Sequence, residues 1–207
     1  MKYGNPDADT VLLQIVDKRD LESMEEEVKE LSAVADRPFL LLCYPVEDWN
    51  RDLSPWPAAP VFGRDPFSGG AERTLDNLRK HVLPALRGKA VFLGGYSLAG
   101  LFSLWAAYQT AGFSSVCAAS PSVWYPGWTE YAASHIPWTE RIYLSLGDRE
   151  ERAKNQALAT VGDCIRAQYA LLAEQGIPSV LEWNPGNHFQ DAEKRTAKGF
   201  AWLLNHS

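Results

Sequence analysis

Short uninterrupted apolar runs alternate with longer stretches of helical periodicity from one end of the chain to the other. Thr10 to Val16 is an apolar run. From Asp20 to Val34 a helix follows, in which Leu21, Met24, Val28, Leu31 and then Ala35 recur at the three-to-four spacing of one helix face. Phe39 to Tyr44 is a second run, stopped by Pro45, and Ala71 to Leu86 reads as a helix closed by Gly88 and bent in its last turn by Pro84. Val91 to Leu93 predicts a third strand and Leu98 to Ala111 the helix behind it. Val116 to Ala119 and Ile142 to Leu146 predict the fourth and fifth strands. A long helix over Asn155 to Gln175, with an internal Gly162, a last strand over Val180 to Trp183 and a helix over Ala192 to Leu204 complete the pattern. Strands written as continuous apolar runs belong to a parallel sheet covered on both faces. The expected fold class is therefore α/β: a doubly wound, mainly parallel six-stranded sheet with helices on both faces.

Length and composition narrow this picture. With 207 residues the chain reads as a single domain over 1–207, large enough for a substantial core. A net charge of −6 and the lack of any basic run exclude nucleic acid as an expected partner. No segment approaches the apolar length of a membrane span, and no apolar core of signal-peptide length precedes Val11. Cys43, Cys117 and Cys164 are an odd number without a Cys-x-x-Cys, so they read as free thiols in a reducing compartment. A cytoplasmic location is the expectation; oligomeric state carries no signal.

In open parallel sheets ligands bind outside the carboxyl ends of the strands. The loops after Val16, Tyr44, Leu93, Ala119, Leu146 and Trp183 thus form the functional edge. One of them, residues 45–70, carries five prolines and the aromatics Trp49, Trp56, Phe62 and Phe67. A loop this long and this apolar is expected to serve as a lid or pocket wall, the alternative being an ordered wrap that patches the core.

The candidate chemistry centres on residues 88–107. An apolar run reaches Gly94-Gly95, then Tyr96-Ser97, and a helix opens at Leu98. A serine on so sharp a strand-to-helix turn presents its hydroxyl outward, at a helix N-terminus that favours developing negative charge. The small residues Gly94, Gly95, Ala99 and Gly100 let strand and helix approach. Gly-x-Ser-x-Ala is a loose motif that equally describes a glycine-rich turn with a serine N-cap, and its context is what singles Ser97 out.

A serine nucleophile needs a base, usually a histidine held by a carboxylate. Of the four histidines, His81 and His135 fall at the opposite edge and His206 is penultimate. His188, in Asn184-Pro185-Gly186-Asn187-His188, follows the last strand at the functional edge. The acid is expected after the fifth strand, where Asp148, Glu150 and Glu151 are all available.

Gly-Gly-Tyr-Ser-Leu-Ala-Gly (94–100), Ala-Ser-Pro-Ser-Val-Trp-Tyr (119–125), Gly-Asp-Arg-Glu-Glu (147–151) and Gly-Asn-His-Phe (186–189) together resemble the α/β-hydrolases of the esterase D and enterobactin-esterase-like group. The resemblance covers nearly the whole chain and implies a minimal α/β-hydrolase core. The family commonly places its acid three residues after a glycine, which favours Glu150, with Asp148 as the alternative. The chain begins about where the family's third strand does, so the family's antiparallel N-terminal strands are expected to be missing. The resemblance implies an oxyanion hole from the backbone N–H of Leu98 and one near Asp17-Lys18, here assigned to Lys18. It implies a small-molecule ester substrate, and neither a metal nor an organic cofactor. Trp49, Trp56, Tyr96, Trp124 and Tyr125, with Trp128, are candidates for an aromatic-lined crevice. An acyltransferase, another triad hydrolase and a non-catalytic binding protein on the same fold are the alternatives.

Overall fold

The computed structural model describes residues 1–61 and 63–207; Phe62, one of the long loop's aromatics, lies outside them. Strands β1 (Lys2–Gly4) and β2 (Thr10–Val16) precede helix α1 (Asp20–Val34) and β3 (Leu40–Pro45). The long connection contains α2 (Trp49–Leu53) and a ribbon of β4 (Pro57–Ala58) with β5 (Phe67–Ser68). The chain continues through α3 (Ala71–Asn77), β6 (Ala90–Tyr96), α4 (Leu98–Gln109), β7 (Ser115–Ala119), α5 (Trp128–Ala133) and β8 (Arg141–Gly147). Helices α6 (Gln156–Ala159) and α7 (Val161–Glu174), strand β9 (Ser179–Asn184) and helix α8 (Ala192–Asn205) end it.

The main sheet has seven strands in the order β1-β3-β2-β6-β7-β8-β9, parallel throughout except for β1, which runs antiparallel to β3. This corrects the expected six strands, and one short antiparallel N-terminal strand is present after all. Lys2-Tyr3-Gly4 pairs through its backbone with Leu40 to Leu42 at the sheet edge. Three such residues carry no apolar pattern, so nothing in the sequence marks the strand.

The reason the strands are apolar runs is visible in β2. Val11, Leu13 and Ile15 enter a core shared with α3, α4, α5 and α7, while Leu12 and Val16 enter a second core under α1 and α8. Both faces are buried, so alternation of side chains does not become alternation of polarity. Helix α4 is buried from Leu98 to Tyr108, packed against β6 and β7 of the sheet and against α2.

Two predicted helices are broken. The Ala71 to Leu86 segment passes from α3 into a wider π turn (Leu78–Val82) and then a 3-10 turn (Leu83–Leu86) that begins around Pro84. Proline lacks an N–H and its ring excludes the carbonyl four residues back, so the regular ladder cannot continue into it. The Asn155 to Gln175 segment is α6 and α7 separated at Thr160; the Asn155 side chain caps α6 by accepting from the N–H groups of Ala157 and Leu158. Among the described residues no helix is long and apolar enough to cross a membrane. The three cysteines are free, Cys43 and Cys117 buried and Cys164 only partly so.

Candidate active site

Strands β6, β7, β8 and β9 lie side by side and parallel, so their carboxyl ends open on one edge. The turn after β6 is an elbow. Ser97 adopts φ 58° and ψ −120°, a conformation that costs an L-residue on the order of 1–3 kcal/mol and persists only when its surroundings impose it. They do: its N–H donates to Ala119 C=O (3.0 Å), and its C=O accepts from Leu101 N–H (3.0 Å) and Ser122 N–H (3.1 Å). A Cβ on Gly95 would lie 2.5 Å from that of Ala99, so glycine at 95 and a small residue at 99 are what let α4 start directly behind the strand.

His188, on the turn after β9, brings Nε2 to 2.9 Å from Ser97 Oγ. Its Nδ1 lies 2.7 Å from Glu150 Oε2. Burial alone would push the Glu150 carboxyl upward, but the bond and charge of His188, the Gly147 N–H and the Ser120 hydroxyl hold it below the usual carboxylate range. The ionised carboxylate can only accept, so Nδ1–H donates to Glu150; in the neutral imidazole the lone pair is then on Nε2, facing the serine hydroxyl. The structure thus joins Ser97, His188 and Glu150 in one hydrogen-bonded line.

The other two acids point elsewhere. Asp148 is exposed and its Oδ1 accepts from Gly186 N–H at 2.9 Å, bracing the histidine turn from below. Glu151 pairs with Arg166 at 2.9 Å. What brings Glu150 inward is the tight turn after β8. Gly147 donates its N–H to Glu150 Oε1 at 2.7 Å, and a Cβ there would lie 2.5 Å from Gly186 C=O.

Three contributors to the site were assigned no role from the sequence, although Ser120 and Ser122 lie in the 119–125 segment that carries the resemblance. Ser120, at φ 43°, donates its hydroxyl to Glu150 Oε1 (2.8 Å), and Ser122 Oγ lies 3.4 Å from Ser97 Oγ. Both belong to the loop after β7, and no charge or histidine marks them. Arg195 comes from the first turns of α8. Its Nη1 donates to Glu150 Oε1 (2.8 Å), Ser120 Oγ (3.1 Å) and the Tyr96 hydroxyl (3.1 Å). Its Nη2 donates to the carbonyls of Pro185 (3.1 Å) and Asn187 (2.9 Å). In the sequence it is one more cation in a Lys-Arg-containing amphipathic helix.

The remaining predicted residues are spread more widely. Leu98 is the first residue of α4, where helix N–H groups have no intrahelical partner. Lys18 is exposed on the turn after β2, beside β6; the neighbouring N–H groups of Asp17, Arg19 and Asp20 are bonded to the Asp20 and Asp17 carboxylates. Tyr96 reaches under His188, donating its hydroxyl to the His188 carbonyl at 2.8 Å, with its ring 5.2 Å from the imidazole. Burial, reinforced by the Glu150 charge, pushes its phenol up to about 12, so it remains a donor. Tyr125 is buried, its hydroxyl donated to Trp56 C=O at 2.6 Å. Trp56 Nε1 donates in turn to Pro126 C=O at 2.8 Å, and Trp124 packs 6.2 Å from Phe67. Trp49 lines a shallow cavity of about 560 Å³ with Glu47, Asp48 and Asp65. Trp128 is not on the crevice: it is fully buried, with Nε1 donating to Gln168. Among the described residues no cluster of His, Cys, Asp or Glu could hold a metal ion.

No protein-family model and no curated protein matches the sequence. Solved structures do match. An IroE-like serine hydrolase from Shewanella oneidensis superposes with a TM-score of 0.74 at 15% identity, over 96% of this chain and 71% of that one. The fold is that of the α/β-hydrolases. Siderophore hydrolase EstA from Aspergillus nidulans gives a TM-score of 0.69 at 21% identity, covering 97% of this chain and 83% of the other. The enterobactin esterase FES from Shigella flexneri gives 0.66 at 15% identity; this chain is covered to 99% and spans 55% of that protein. At these identities the likeness establishes the α/β-hydrolase fold, and the chemistry has to be argued from the site.

Proposed function

We propose that the chain is a serine hydrolase acting on carboxylic esters, with Ser97 as nucleophile, His188 as general base and acid, and Glu150 as the orienting carboxylate. The observation that carries this is the hydrogen-bonded line from Ser97 Oγ through the imidazole to Glu150 Oε2, at 2.9 and 2.7 Å. Ser97 attacks the ester carbonyl while His188 Nε2 takes its proton, and Glu150 balances the imidazolium that forms. His188 returns the proton to the leaving alcohol. Water, activated by the same imidazole, then releases the acyl group and regenerates the serine. Leu98 N–H, at the α4 N-terminus, faces the developing oxyanion, and Lys18 N–H is its partner from the turn after β2.

On this reading Trp49, Trp56, Tyr96, Trp124 and Tyr125 supply the aromatic contacts to the substrate. This suits an ester of modest size carrying an aryl or sugar group. Residues 45–61 and 63–70 act as the crevice wall, because Leu53 and Phe67 are anchored in the core. The structural neighbours named for siderophores make a siderophore ester a reasonable member of a substrate panel. The reaction is cofactor-free and takes place in the cytoplasm.

The test is labelling with a fluorophosphonate probe, followed by hydrolysis of p-nitrophenyl, sugar acetyl and siderophore esters. Wild type is expected to label once, and Ser97→Ala not at all. Equal labelling of both proteins would overturn the assignment. Acyl transfer to an added alcohol in preference to water would identify an acyltransferase instead.

A further inference from the structure

We propose that Arg195 is a positioning residue for the triad: it fills the Oε1 side of Glu150 and clamps the turn that carries His188, leaving Oε2 to the imidazole alone. This rests on the hydrolase assignment above. A carboxylate offers about four lone-pair sites. Here Oε1 receives three donors, Gly147 N–H (2.7 Å), Ser120 Oγ (2.8 Å) and Arg195 Nη1 (2.8 Å), while Oε2 faces His188. A carboxylate held this way cannot rotate without breaking three bonds.

The same guanidinium reaches the backbone of the histidine turn. Nη2 donates to the carbonyls of Pro185 and Asn187, and the Tyr96 hydroxyl, itself bonded to Nη1, holds the carbonyl of His188. Acid and base are therefore fixed to one another through a single planar group, a task a point-charge ammonium cannot perform with the same geometry. Arg195 is 2% exposed, and its Nε has no partner among the described residues. Buried ion pairs add little stability relative to packed apolar residues, so stability alone does not call for an arginine here.

The arrangement has an electrostatic consequence. The charged and titratable groups facing His188 are Glu150 from the turn after β8, Arg195 from α8 and Tyr96 from β6. Asp148 and Arg149 on the acid turn lie 3.7 Å apart, and Asp191 and Lys194 at the start of α8 lie 3.5 Å apart. Arg195 shares the charge of Glu150, so the imidazolium receives less stabilisation than from a free carboxylate. Removing the positive charge makes His188 a stronger base, and the acid limb of kcat/KM, where His188 must be neutral, moves to higher pH.

The experiment compares wild type, Arg195→Met and Arg195→Lys in p-nitrophenyl acetate hydrolysis across pH, with urea melts as a check on folding. For Arg195→Met, kcat is expected to fall on the order of 100-fold with KM little changed. Its acid limb is expected to rise by roughly one pH unit. For Arg195→Lys, which keeps the charge but not the fork, kcat is expected to fall about tenfold with the limb at its wild-type position. A folded Arg195→Met enzyme with wild-type kcat and limb overturns the proposal. If that variant fails to fold, wild-type kcat in Arg195→Lys overturns it equally. A wild-type chain that neither hydrolyses esters nor labels at Ser97 is a failure of the hydrolase assignment and not of this one.

Discussion

Glu150 is set apart from its neighbours Asp148 and Glu151 by burial and by the donors around it, not by residue type. Those donors hold its carboxyl below the usual range although burial pulls the other way. An acid depressed in the folded state contributes stability above its unfolded value, and that contribution is lost as pH falls through the lower folded value. Glu150→Gln lacks it at every pH and leaves Arg195 buried without its anion. Urea melts at pH 7 are expected to show the variant about 3 kcal/mol less stable than wild type. The gap is expected to narrow only as pH falls past the unfolded value and through the lower folded one, where the wild-type carboxyl is neutralised too. Ester hydrolysis should fall on the order of 10³-fold, since the amide can orient the imidazole but not balance its charge. Ser97 and His188 could be singled out in the sequence because each stands just beyond an apolar run. Choosing among three acids within four residues depended on how the turn after β8 folds, which the family resemblance indicated and residue spacing did not.

At the level of elements, the contact between β2 and α1 contains a polar pair in an otherwise apolar layer. Gln14, on the β2 face that carries Leu12 and Val16, donates its amide to Glu27 Oε2 at 3.1 Å, and both side chains are buried. Burial, partly offset by Gln14 and reinforced by the charges of Asp20 and Glu193, pushes the Glu27 carboxyl up to about 8. A raised acid contributes stability that is full below its unfolded value near 4.5 and lost as pH rises through 8. Glu27→Gln, which does not ionise, should therefore melt like wild type near pH 4.5. By pH 9 it should be more stable on the order of 5 kcal/mol; no difference there would remove this account. The long, strongly periodic elements were legible in the sequence, as α1 with its bounds Asp20–Val34 illustrates. The short ones, β1, α2 and the β4–β5 ribbon, were not. Their stability comes from edge pairing and from anchors such as Leu53 and Phe67 in a core assembled by distant segments.

Across the whole molecule, the line from serine to acid joins residues 97, 188 and 150, and each bond in it spans parallel strands that pair only when the sheet is complete. Fluorophosphonate labelling and helical circular dichroism should therefore be lost over the same urea range, as one transition. Labelling that disappears well before the dichroism would mean that the loops at the sheet edge open on their own. The sequence by itself determined the layered α/β architecture, the elbow and the order in which Ser97, the acidic turn and His188 follow one another. These depend on local periodicity, on small residues and on chain direction in a parallel sheet. Only the tertiary structure decided the antiparallel edge strand, which of the acids meets the histidine, and the arginine that binds the acid and the histidine turn together. Those are contacts between residues far apart in the chain, made by hydrogen bonds whose partners leave no periodic trace.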